Sequence, residues 1–151
     1  IGAFGAMALV LALLSKLALL SLLGAHSLTV ALSALVGAHV LSRLWPLFIV
    51  RSLPHVGDTA RSKSKPLADQ ISGGALATAV VWCFVPLALV WHAQSAIFLA
   101  AAVILSAAAA AWMARWFARR LQGFTGDCLG ATQQVSEIGF YLGAALALRW
   151  A

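Results

Sequence analysis

Five stretches of this chain are each apolar over about 20 residues, the length at which an α-helix crosses the hydrocarbon core of a bilayer. They run over Gly2–Leu23, Ser27–Val50, Gly74–Trp91, Ala96–Phe117 and Asp127–Arg149. Lipid offers no partner to open backbone N–H and C=O groups, so a spanning segment must be a helix or part of a closed barrel. None of the five alternates polar and apolar residues as a barrel strand does. A soluble domain carries about a quarter charged residues. Here 9% are charged and 63% are hydrophobic, too few polar groups to cover a surface facing water. The expected fold is all-α, a polytopic integral membrane helical bundle with about five transmembrane helices. It forms a single membrane domain over residues 1–151, with 51–72 as a cytoplasmic loop. Ile1 lies directly in an apolar run with no charged region ahead of it, so the chain is read as the C-terminal portion of a longer one.

Charge sets an expected orientation. The loop Arg51–Ser72 carries Arg51, Arg61, Lys63 and Lys65, and the border of the fourth turn carries Arg115, Arg119 and Arg120. The turns at Gly24–His26 and His92–Ser95 carry no Lys or Arg. Alternating spans put both basic connections on one side, which the positive-inside rule makes cytoplasmic. Trp91 and Trp150 then fall at the opposite interface. The net charge of +6 fits basic loops at anionic headgroups or an anionic substrate. Nucleic acid is not an expected partner, because no binding motif or aromatic-basic interleaving accompanies the charge. Cys83 and Cys128 are isolated and read as packing residues.

Two of the four carboxylates, Asp127 and Glu137, stand in the apolar C-terminal segment. A carboxylate there costs about 2.5–3.5 kcal/mol on insertion scales, which points to an ion, proton or phosphate site. On a helical wheel Asp127, Gly130, Gln133, Gln134, Glu137 and Tyr141 share an arc of about 120°. That stripe is expected to face other helices, with Glu137 ~15 Å deeper than Asp127. Such a separation is too long for one ion on a straight helix, which makes Asp127 the better metal or phosphate-site residue. Gly123 and Gly126 flank a turn at the helix start, where free N–H groups favour an anion. Arg43 lies ~10 Å inside the cytoplasmic boundary, where it either snorkels outward or pairs with phosphate. Lys16 is expected to snorkel towards the outer end of the first span. The four histidines form no ligand pair.

Gly123-Phe-Thr-Gly-Asp-Cys-Leu-Gly-Ala131, followed by Glu137, resembles the C-terminal signature of the cobalamin synthase (adenosylcobinamide-GDP ribazoletransferase) family. Ile1–Gly5, Leu14-Ser-Lys-Leu17, Ser42-Arg43 and, more loosely, Ala60-Arg61 are similar to family positions. The segment Ser62–Leu67 departs from the Gly-Leu-Gly form of many members, and the family's Asp-rich motif lies ahead of Ile1. The resemblance implies an enzyme of the bacterial inner membrane that joins α-ribazole, or its 5′-phosphate, to adenosylcobinamide-GDP with Mg²⁺ and releases GMP. It also implies contact with other late corrinoid-assembly enzymes. On that reading Asp127 holds Mg²⁺, Asp127, Glu137 and Arg43 are the catalytic candidates, and Gly123, Gly126, Gly130, Arg61, Lys63 and Lys65 bind the substrate phosphates. The fragment alone is expected to be inactive without the acidic motif. A transporter or proton-coupled carrier stays open as the alternative, since intramembrane Asp, Glu and Arg suit it equally.

Overall fold

The computed structural model of the chain describes residues 2–56 and 71–149. These form five α-helices: α1 (Ala3–His26), α2 (Leu28–Ser52), α3 (Gly73–Ala93), α4 (Ala96–Arg120) and α5 (Gly126–Ala147). The fold is an all-helical membrane bundle. α1 to α4 are each long and apolar enough to cross a membrane. α5 has the length, at 22 residues, but its polar stripe makes it less apolar. Trp150 and the loop residues Arg61, Lys63 and Lys65 lie outside the described residues.

Sharp starts come from hydroxyl caps. The side-chain oxygens of Ser27, Ser72, Ser95 and Thr125 accept from the N–H three residues on, at 3.1 Å, 3.1 Å, 3.2 Å and 3.4 Å. Each satisfies a donor that the first helical turn cannot. Ser27 alone separates α1 from α2, so the two form a tight hairpin.

α5 is the central element, packed on α4, α2 and α1. Its contact with α4 uses absent side chains. A Cβ on Gly139 would stand 2.8 Å from the Leu105 carbonyl oxygen, and one on Gly143 would stand 2.6 Å from the Ala102 Cα. This small-residue approach lets dispersion between backbones replace the hydrophobic drive that lipid removes. Gly37 of α2 likewise lies under the Phe140 ring. Gly143→Ala is expected to destabilise the bundle by about 1–3 kcal/mol, because the contact is with backbone and no side chain can rotate away. Detergent-titrated unfolding measures it, and an unchanged midpoint would show that α4 and α5 do not meet this closely.

The outer helices look different. Every residue from Ala3 to Leu11 is exposed, and α3 buries only Val90. Phe4 is 86% exposed and Trp82 69%. Water would not tolerate so continuous an apolar surface, whereas lipid does.

The two ends of the bundle are distinct. At one, the chain after α2 pairs with the α4–α5 turn: Val56 N–H donates to the Phe124 carbonyl (2.9 Å) and Phe124 N–H to the Pro54 carbonyl (3.0 Å). Arg51, Arg119 and Arg120, in the last turns of α2 and α4, gather at this basic end. At the other, Gln94 donates to Ser33 at 3.1 Å, and Leu22 and His26 share a depression with Ala145 and Arg149. The expected alternation of the connections is therefore the one observed.

Candidate functional site

The glycine-rich turn of the C-terminal signature is built by close backbone approach. A Cβ on Gly123 would strike the Pro54 carbonyl oxygen and the Val56 side chain, so only glycine lets the two connections pair. Gln122 takes a left-handed φ of 56° to turn the chain there. Phe124 is fully buried, and the His55 ring meets it edge-on at 5.4 Å. Thr125 then caps α5, and Asp127 stands in the helix's first turn.

Asp127 does not face the bundle interior. It is exposed, as are Gly126, Gly130 and Gln134, and it borders a shallow depression with Trp116, Arg120 and Cys128. The reason lies in which face of α5 the other helices use. That face is centred on Thr132 and Ser136, which are fully buried and lie about 140–180° from Asp127 around the wheel. The carboxylate stripe runs along the edge of this face, not its middle. Only its deeper part, Glu137 and Tyr141, is buried. A Cβ on Gly126 or Gly130 would meet nothing within 4 Å, so neighbouring packing does not require glycine at either position.

At mid-helix depth the structure places an ion pair that sequence reasoning missed. Lys16 Nζ lies 2.8 Å from Glu137 Oε2 and donates to Gln134 Oε1 at 2.6 Å. Tyr141 Oη donates to Glu137 Oε1 at 2.9 Å. The expected outward snorkelling of Lys16 is thus corrected. Lys16 is ten residues from the end of α1, ~15 Å along the axis, which its side chain cannot span. A partner at the same depth is the cheaper solution for both charges. A lysine and a glutamate each too deep to reach water was the available signal.

α2 adds its polar groups beside this pair. His39 Nδ1 donates to the Leu35 carbonyl at 3.0 Å and lies 4.0 Å from Glu137 Oε1. Arg43 Nη1 donates to the His39 carbonyl at 3.1 Å. The guanidinium therefore folds one turn deeper, towards the polar cluster, and not to the boundary. The cluster sits where α1 first meets the bundle, so it borders the uncovered space beside Ala3–Leu11.

Among the described residues no group of three His, Cys, Asp or Glu side chains could hold a metal ion. Asp127 forms no ion pair among them, and as one exposed carboxylate it fits Mg²⁺ only as a single ligand beside water and substrate phosphate.

The sequence model of cobalamin-5-phosphate synthase matches residues 1–145. The chain belongs to this family. Family relatives named adenosylcobinamide-GDP ribazoletransferase include that of Albidiferax ferrireducens, 60% identical, with 98% of this chain and 58% of the relative covered. That of Polaromonas naphthalenivorans is 56% identical, with 98% and 58% covered, and that of Vibrio cholerae is 39% identical, with 94% and 52% covered. The chain spans just over half the length of these relatives. No solved structure matches it.

Proposed function

We propose that this chain is part of an adenosylcobinamide-GDP ribazoletransferase, a transferase of a substituted phosphate group. The carrying observation is the family match over residues 1–145, which includes the turn that holds Asp127. In the reaction a hydroxyl of α-ribazole, or of its 5′-phosphate, attacks the corrinoid-side phosphorus of the diphosphate. A new P–O bond forms, the P–O bond to GMP breaks, and the hydroxyl proton is released. The products are adenosylcobalamin, or its phosphate, and GMP.

The demand on the protein is charge neutralisation and in-line placement. Bound Mg²⁺ would neutralise the diphosphate and the departing GMP. Asp127 is the carboxylate we assign to such an ion, and its exposure leaves room for water and substrate phosphate beside it. Gly126 and Gly130 leave the face around Asp127 free of side chains, which suits close approach of a nucleotide. Arg120, on the same depression, adds a cation. The loop residues Arg61, Lys63 and Lys65 remain candidates for a basic lip. Glu137, paired with Lys16 and Tyr141, acts as a positioning residue that anchors α1, and Arg43, bonded to the His39 carbonyl, supplies a cation on α2.

The test is release of GMP from adenosylcobinamide-GDP by membranes carrying the full-length protein. Release that requires both α-ribazole and Mg²⁺ is expected; release indifferent to α-ribazole would reject the assignment. Cytoplasmic placement of the basic end, in the bacterial inner membrane, belongs to the same proposal. A cysteine at Gln94 should label from outside intact cells and one at Ser64 should not, and the reverse pattern would invert the topology.

A further inference from the structure

We infer that the groove between α2 and α4 is a binding site for one acyl chain of an anionic phospholipid, with the lipid phosphate at Arg115. The groove encloses about 430 Å³ between Trp45 and Phe48 on one side and Ala107, Ala111 and Ala118 on the other. Its depth comes from α4, whose wall residues there end at Cβ. Its floor is closed by Ile49 and Ala110, both buried. Its inner end is closed by the Trp45 indole, whose N–H donates to the Ser106 hydroxyl at 2.8 Å. That bond uses the indole's one polar atom, so what faces the groove is hydrocarbon.

Size and place select the occupant. From Ala107 to Ala118 is ~16 Å of helix, about one leaflet of a hydrocarbon core ~30 Å thick. The groove ends at Ser52 and Leu53, at the basic end of the bundle. Counting all the space between its walls, about 860 Å³, the mean cross-section over that length is about 52 Å². A helix with side chains, at ~10 Å diameter, needs about 80 Å², so the space suits a single hydrocarbon chain and not a further helix. A polar nucleotide-bearing substrate is equally unsuited to apolar walls with one cation. Charge selects the headgroup. Arg115 lines the groove near this end, and among the described residues it has no ion-pair partner. A guanidinium at headgroup depth pairs well with phosphate.

The experiment uses full-length protein delipidated in detergent and returned to nanodiscs of mixed phosphatidylglycerol and phosphatidylcholine, with retained lipid counted by native mass spectrometry. One phosphatidylglycerol per chain is expected to stay bound. Ala111→Trp fills the groove from an exposed position and should abolish retention. Ala108→Trp, exposed on α4 but not lining the groove, should retain the lipid and controls for folding. Arg115→Gln should keep a bound lipid but lower the preference for phosphatidylglycerol about fivefold, the effect of one basic residue near an anionic surface. Retention undiminished in Ala111→Trp, or no retained lipid in the unsubstituted protein, overturns the site. An unchanged headgroup preference in Arg115→Gln overturns the role given to Arg115. A photo-crosslinker at Ala111 that captures protein in place of lipid would assign the groove to a chain segment or a second copy, and overturns the proposal as well.

Discussion

Glu137→Ala is expected to cost the bundle about 3–5 kcal/mol, the penalty for leaving one member of a buried ion pair uncompensated. The substitution strands the Lys16 ammonium, whose side chain is only 15% exposed, and removes the acceptor of the buried Tyr141 hydroxyl. Lys16→Ala should cost a similar amount by stranding the carboxylate. The informative variant is the double one. Lys16→Met with Glu137→Gln removes both charges while the amide oxygen still accepts from Tyr141. Apolar or neutral replacement of an entire buried pair is often neutral or stabilising, so the double variant should recover most of what either single change loses. Unfolding of the three variants in mixed micelles with increasing denaturing detergent gives the comparison. Losses below about 1 kcal/mol that simply add would mark a solvated pair and remove the anchoring role given to Glu137.

Much of this fold was legible because a bilayer leaves a chain few options. Segment length and the absence of alternation locate five helices to within three residues at either end. What sequence could not supply was the rotation of each helix about its own axis. The wheel put Asp127 and Glu137 on one inward-facing stripe, yet the buried face of α5 is set by where small residues allow backbones to approach. Gly139 and Gly143 fix that face against α4, and Asp127 falls outside it as a consequence. Likewise, the depth of Lys16 was calculable from its position in α1, but its partner depended on which helix α1 packs against. Gly123 shows a third kind of gap. Its place in a turn was readable, whereas the carbonyl of Pro54 that excludes any side chain there comes from a connection almost seventy residues earlier.

Asp127→Asn is expected to lower turnover by about 10²-fold or more, the scale of removing one electrostatic contact to charge that develops during reaction, while leaving the bundle intact. The structure separates the two effects. Asp127 is exposed and makes no ion pair among the described residues, so stability loses only its interaction with the positive end of α5, about 0.3–1 kcal/mol. Asparagine keeps the size of the side chain and leaves the Thr125 cap, the Gly123 turn and the buried Phe124 undisturbed. What it removes is the anionic oxygen that a hard cation prefers. If the carboxylate ligates Mg²⁺, raising Mg²⁺ should recover part of the lost rate in Asp127→Asn, whereas the unsubstituted protein saturates at lower concentration. Lys63→Ala, one of several charges in the loop, should change the rate little. The Lys16→Met, Glu137→Gln pair should also stay closer to the unsubstituted protein than Asp127→Asn does, since its residues hold helices and not the reacting phosphate. GMP release measured across a Mg²⁺ titration distinguishes these outcomes. Near-normal turnover of Asp127→Asn at limiting Mg²⁺ would falsify the metal role and move the search for the ligand to other carboxylates.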